Sequence, residues 1–322
     1  MERYLDVLRK FETNVSRLKK RYRWRFDSKS IALVSLEFAI NDQPLDLNVF
    51  EHVNQKLSKK LSPFSTLKQS EQYFIVASLM IKTDDPIAAI DTFLDQQKAL
   101  MKEGMIKETV SYYLALMLVE KEASLSSVTS ANQLYRRLKH RHSFMLNRSI
   151  FPFVFKISVE HQDNKRMKDE KAIVDAVESN YDLLVKHGFK AGTHLYVMSM
   201  VFTLPMFSHQ ISHCIQLHQQ LIDTGFTIEP EQYLSFAILS HSSFEKKDVI
   251  ELKMLVKELV NRSQFKQDKQ LMKQLAMHML LIDYLPHQTG VNKEVLTLAY
   301  ELIEVEHMAI MSAVSSGSLG LY

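Results

Sequence analysis

Glycine and proline are scarce in this chain. There are seven of each in 322 residues, about a third of the roughly 12% the two usually make up together. A β-sandwich or a doubly wound α/β fold draws on turn glycines at every connection, so the shortage argues against both. Cysteine occurs once, as Cys214. No intrachain disulfide can form, and nothing in the sequence asks for an oxidising compartment. Long apolar runs are also missing. The strongest, "LYVMSMVFTLPMF" from Leu195 to Phe207, is broken by Pro205 and is shorter than the ~20 residues of a spanning helix. The opening "MERYLDVLRKFE" is charged from its second residue and lacks the apolar core of a signal peptide. A large excess of one charge is absent too: 40 basic residues face 37 acidic ones, a formal net charge of +3. That is too small for a dedicated polyanion binder. These absences predict a cytoplasmic protein without a membrane span.

What is present is helical period. Tyr4, Leu8, Phe11, Val15 and Leu18 alternate spacings of four and three; Val249, Leu252, Val256 and Leu259 follow the same rule, as do Val291, Val295, Leu298, Leu302 and Val305. Each set forms one face that must be covered. Asp85 before Pro86 has the form of an N-cap followed by proline at the first helical position, and Pro44 and Pro230 repeat the theme. Pro205 and Pro286 read as stops after apolar helices. The stretch "FPFVFKISV" alternates with the period of a strand, but a lone strand would leave its backbone groups unpaired, so the expectation there is helix.

One pattern recurs three times: Leu100, Gly104, Met105, Tyr112; Leu184, Gly188, Phe189, Tyr196; Leu221, Gly225, Phe226, Tyr233. Leucine stands four before glycine, a large apolar residue follows it, and tyrosine lies eight beyond. A helix often ends with a left-handed glycine just past its C-cap, and the next apolar residue clasps back onto the last turn. Each segment therefore predicts helix, sharp stop and next helix, with the tyrosine packing on the hairpin and bonding locally. The glycine spacing predicts an all-α chain of six to eight antiparallel helix pairs, an α-solenoid forming one helical-repeat domain over 1–322, divisible near residue 125 into 1–125 and 126–322.

These helix stops, the N-terminal "YRWRFDSKSIAL" and the small-residue tail "AIMSAVSSGS" resemble an uncharacterised bacterial all-helical family, catalogued only as a domain of unknown function. The resemblance covers most of the chain. It implies a helical fold and carries over neither an activity nor catalytic residues.

Candidate chemistry is sparse. His209 and His213 are four apart, so a helix would place them on one face as a metal pair, but Gln210 stands where a zinc-protease helix carries glutamate. Glu304 and His307 echo the Glu-x-x-His of di-iron bundles without a second copy. Cys214 follows His213 directly, and adjacent residues on a helix point apart. Neither phosphate-binding glycine motif occurs. No catalytic residue and no cofactor is predicted.

Two basic stretches carry aromatic residues: Arg17, Lys20, Arg21, Arg23, Trp24 and Arg25 in the first, Arg136 and Arg137, with Lys139 and Arg141, in the second. Cations beside rings suit nucleic acid or another polyanion, while the plainer reading is a solvated helix end. The sequence thus predicts a non-enzymatic scaffold binding a protein or peptide on a concave face. Polyanion binding through 17–26 and 135–142 is the alternative, and a cryptic metalloenzyme is a second.

Overall fold

The computed structural model describes residues 3–22, 26–63, 65–103, 105, 108–119, 125–143, 145–163, 169–242, 244, 248–261, 269–287 and 291–316. Fifteen α-helices and no strand are found among them. The protein is all-α. None of these helices is long and apolar enough to cross a membrane.

The chain divides into two compact units, residues 1–129 with 307–321 and residues 130–306. The first contains α1 (Arg3–Tyr22), α2 (Ser28–Ile40), α3 (Leu47–Lys60), α4 (Gln69–Lys82), α5 (Pro86–Lys102) and α6 (Thr109–Val119). The remaining helices are α7 (Leu125–Arg141), α8 (Phe151–Asp163), α9 (Glu170–Lys186), α10 (Thr193–Val201), α11 (Ile211–Asp223), α12 (Tyr233–Leu239), α13 (Asp248–Asn261), α14 (Lys269–Tyr284) and α15 (Lys293–Ser316). The first turns of α7 and the last turns of α15 belong to the first unit, and everything between to the second.

Between α2 and α14, odd and even helices differ in kind. α3, α5, α9, α11 and α13 bury one stripe each: Phe50, Val53 and Leu57 in α3, Cys214, Leu217, His218 and Leu221 in α11. The even helices α2, α4, α6, α10, α12 and α14 are buried almost all round. A helix apolar on every side has to lie inside, covered by others. Within the first unit α2 packs on α4 and α4 on α6; within the second α8 packs on α10, α10 on α12 and α12 on α14. Each odd helix up to α13 starts 37 to 45 residues after the one before it, at residues 3, 47, 86, 125, 170, 211 and 248.

The helix stops form as their sequence demands. Gly188 and Gly225 hold φ of +89° and +72°. The Phe189 N–H donates to the Leu184 carbonyl at 3.2 Å and the Gly188 N–H to Val185 at 3.0 Å; Phe226 and Gly225 repeat this to Leu221 and Ile222 at 3.0 and 2.8 Å. This is the paired hydrogen-bond pattern of a glycine-terminated helix. Met105 donates to Leu100 at 3.1 Å in the third copy, whose Gly104 lies outside the described residues.

The tyrosines reach further than a local bond. Tyr196 does bond inside its own helix pair, donating to Glu178 Oε1 at 2.6 Å. Tyr233 instead accepts from the backbone N–H of Lys190 at 2.8 Å, and Tyr112 shares a 3.0 Å bond with Ser65. Thr193 donates to the Met145 carbonyl at 2.8 Å. These last three bonds tie one connection to the connection one helix pair earlier, 43 to 48 residues back.

Two local expectations hold and one is corrected. "FPFVFKISV" is the first nine residues of α8, and Phe151 to Ser158 are all buried, so its alternation reflects burial on every face. Asp85 caps Ile87 and Ala88 with Pro86 at the first position, as predicted. Pro44, however, sits in the connection, because Asp46 takes the cap and α3 begins at Leu47.

Candidate functional site

The second basic stretch of the sequence lines a surface groove of about 340 Å³ in the second unit. Its walls are the C-terminal half of α7 and the N-terminal half of α9. Buried Leu134 and Leu138 anchor α7 below. Arg136, Arg137, His140 and Arg141 are therefore left facing solvent. Opposite, buried Ile173, Val174 and Val177 set the register of α9 and place Lys171 and Asp175 on the facing rim. Val174 is the one apolar residue of the lining.

The electrostatics are loose. Arg137 Nε lies 3.8 Å from Glu170 Oε2, and Arg141 Nη2 lies 3.7 Å from Asp175 Oδ1. A charge-assisted hydrogen bond closes to about 2.7–2.9 Å, so neither guanidinium has committed its donors. Both arginine side chains are more than half exposed, where such a pair is worth about 0–1 kcal/mol. Among the described residues Arg136 and Lys171 have no carboxylate within 4.0 Å.

A tighter network borders the groove. Past the end of α7, His142 Nε2 meets Glu178 Oε2 at 2.8 Å, and the other oxygen of Glu178 takes the Tyr196 hydroxyl. The rings of His142, Tyr181 and Tyr196 pack at 4.9 to 5.6 Å. Burial first, and then the Glu178 hydrogen bond, push the Tyr196 phenol well above its usual range. This network holds the end of α7 against α9 and α10.

The first basic stretch is used differently. Arg17 and Lys20 project to solvent from α1, but the Arg21 Nε donates to Glu51 Oε2 at 3.1 Å. Tyr22 and Phe26 are buried against Phe50 and Tyr73, with ring centroids 4.6 to 6.0 Å apart. Those rings belong to the core and present no stacking surface. Arg23, Trp24 and Arg25 lie outside the described residues.

His209 and His213 do not share a helical face. His209 is exposed in the turn before α11, which starts at Ile211, while His213 Nδ1 donates to the Ser240 carbonyl at 2.7 Å. No group of three histidine, cysteine or acidic side chains arranged to hold a metal ion occurs among the described residues. Cys214 is fully buried, and burial pushes its thiol far above the ordinary range.

Sequence reasoning did not single out the buried ion pairs. His307 meets Glu37 in the first unit, and His278 Nε2 meets Glu306 Oε2 at 2.7 Å in the second, each pair almost fully enclosed. Lys156 is buried between Glu160, at 2.7 Å, and Glu301. Burial opposes its charge, yet Glu301 and Glu160 outweigh burial and hold the ammonium above its ordinary value. Only the i,i+4 spacing of Lys156 and Glu160 could have signalled this in the sequence. Lys171 was missed as well, since nothing local relates it to the arginines of α7.

A family model described as "Protein of unknown function (DUF4003)" matches residues 14–307. The uncharacterized protein YeaA of Bacillus subtilis (strain 168) is 20% identical over 310 residues, covering 94% of this chain and 92% of that protein. No solved structure matches the chain. With the family model spanning most of its length, this chain belongs to the DUF4003 family of proteins of unknown function.

Proposed function

We propose that the protein is a non-enzymatic interaction module of the cytoplasm, an α-solenoid whose α7–α9 groove holds an anionic segment of a protein partner. The observation that carries this reading is the set of uncommitted cations: Arg136 and Lys171 without carboxylates among the described residues, Arg137 and Arg141 beyond hydrogen-bonding distance of theirs. Exposed guanidiniums with unspent donors suit carboxylate or phosphate ligands. The solenoid part is supported by the alternating one-faced and enclosed helices and by the bonds linking successive connections.

Nucleic acid is the weaker reading. Single-stranded binders combine a basic track with rings on which bases stack. The residues lining this groove include no Phe, Tyr or Trp, and Asp175 and Glu170 interrupt the track.

Fluorescence polarisation with labelled Asp/Glu-rich peptides and with single-stranded RNA tests the proposal. Salt-sensitive peptide binding that Arg136→Glu with Arg141→Glu abolishes is expected. No peptide binding at low salt, or RNA binding that peptide cannot displace, would overturn it.

A further inference from the structure

We infer that the α7–α9 groove recognises a phosphate monoester, presented by the partner as a phosphorylated side chain. This deepens the anionic-segment reading above and rests on it.

Charge gives the first argument. Arg136, Arg137, Arg141 and Lys171 supply four formal positive charges, and Glu170 and Asp175 remove two. The surplus of two matches a phosphate monoester, which carries about −1.5 to −2 at pH 7. A partner carboxylate supplies only one negative charge. Moreover, the groove already offers carboxylates to Arg137 and Arg141, and neither pair closes to a hydrogen bond.

Donor geometry gives the second. A guanidinium presents a fork that engages two phosphate oxygens at once. Arg137 and Arg141 are four apart on one helix, so their forks lie on the same face. Arg136 and Lys171 add donors that no carboxylate among the described residues occupies. Three phosphate oxygens can accept from all of them together.

The lining also disfavours the nearest competitor. A nucleotide would bring a base, and the groove offers it no Phe, Tyr or Trp face, only the His140 imidazole. The volume, about 340 Å³, exceeds that of a bare phosphate group, so the side chain bearing it enters as well.

The test is a binding titration of the full chain with degenerate peptide libraries in three forms: central phosphoserine, glutamate and serine. Phosphoserine is expected to bind at least about tenfold tighter than glutamate, with inorganic phosphate competing. Arg136→Ala and Arg141→Ala should each weaken phosphopeptide binding by about tenfold or more, and Arg141→Lys should recover only part. Asp175→Asn should instead tighten it several-fold by removing a competing carboxylate, a gain that misfolding cannot produce. Equal binding of the phosphoserine and glutamate libraries would overturn the phosphate inference while leaving the acidic-partner reading intact. Binding of neither would overturn both. Binding to phosphatidic acid vesicles with no phosphopeptide binding would assign the groove to a lipid headgroup and overturn it too.

Discussion

The Tyr233 hydroxyl accepts the backbone N–H of Lys190 at 2.8 Å across 43 residues of sequence. Tyr233 is buried, and its ring packs edge-on against Phe189, the clasp residue of the earlier helix stop. Tyr233→Phe keeps the ring and removes the acceptor of the Lys190 N–H. Lys190 is exposed, so the expected cost is that of one net hydrogen bond, about 0.5–1.5 kcal/mol. Urea unfolding gives the total, and faster hydrogen exchange at Lys190 would place the loss at this bond.

Gly188 and Gly225 test backbone conformation apart from packing. A Cβ built on either meets nothing within 4 Å. Gly188→Ala and Gly225→Ala should therefore cost only the left-handed penalty, about 1–2 kcal/mol each. Gly188→Asn should cost less than Gly188→Ala, because asparagine tolerates that region better. Thermal midpoints of the three variants decide the ranking.

The histidines of the second unit make stability depend on pH. Burial lowers the His161 imidazole from 6.5 to about 4, and burial likewise lowers His194, His218 and His241. Each folded-state value lies below the unfolded one, so the unfolded chain takes up protons first as pH falls. The stabilisation is complete above about pH 6.5 and is lost progressively from there towards pH 4. His161→Gln can still donate to Thr203, as His161 Nε2 does at 3.1 Å. Its denaturation midpoint should vary less with pH across that window than that of the parent protein.

Cys214 should be silent in the folded state. Its thiol is enclosed, and burial holds it protonated at neutral pH. A thiol reagent at pH 8 should modify less than a tenth of native protein in the time that it modifies all of the urea-unfolded chain. Rapid labelling without denaturant would contradict the enclosed position.

His278 and Glu306 illustrate a buried pair that cannot be halved. Removing one partner breaks this charge-assisted hydrogen bond in the core, at about 3–5 kcal/mol. Glu306→Gln and His278→Ala should each show that loss in chemical denaturation. His278→Leu with Glu306→Leu should cost less than the sum of the two single changes.

The helix stops were readable because their physics is local: a glycine, a leucine four residues earlier and an apolar residue directly after settle the hydrogen bonds at 184–189 and 221–226. The even helices were harder. Phe153, Phe155, Ile157 and Val159 alternate like a strand, and only their enclosure within the second unit turns that pattern into α8. Half the groove was legible, since Arg136, Arg137 and Arg141 fall within six residues of sequence. Lys171 and Asp175 join them only through the packing of α9, which no nearby residue announces. Tyr22 and Phe26 show the reverse case, where rings that look available for ligand are consumed by the core.

The first unit is discontinuous in sequence, and this orders events during synthesis. Glu37 waits for a partner 270 residues downstream, and Ser70 bonds Ser315 across 245. At about 5–20 residues per second, residues 1–129 leave the ribosome on the order of ten seconds or more before 307–316 exist. The nascent first unit must spend that interval unfinished, with Glu37 lacking the imidazole it is built around.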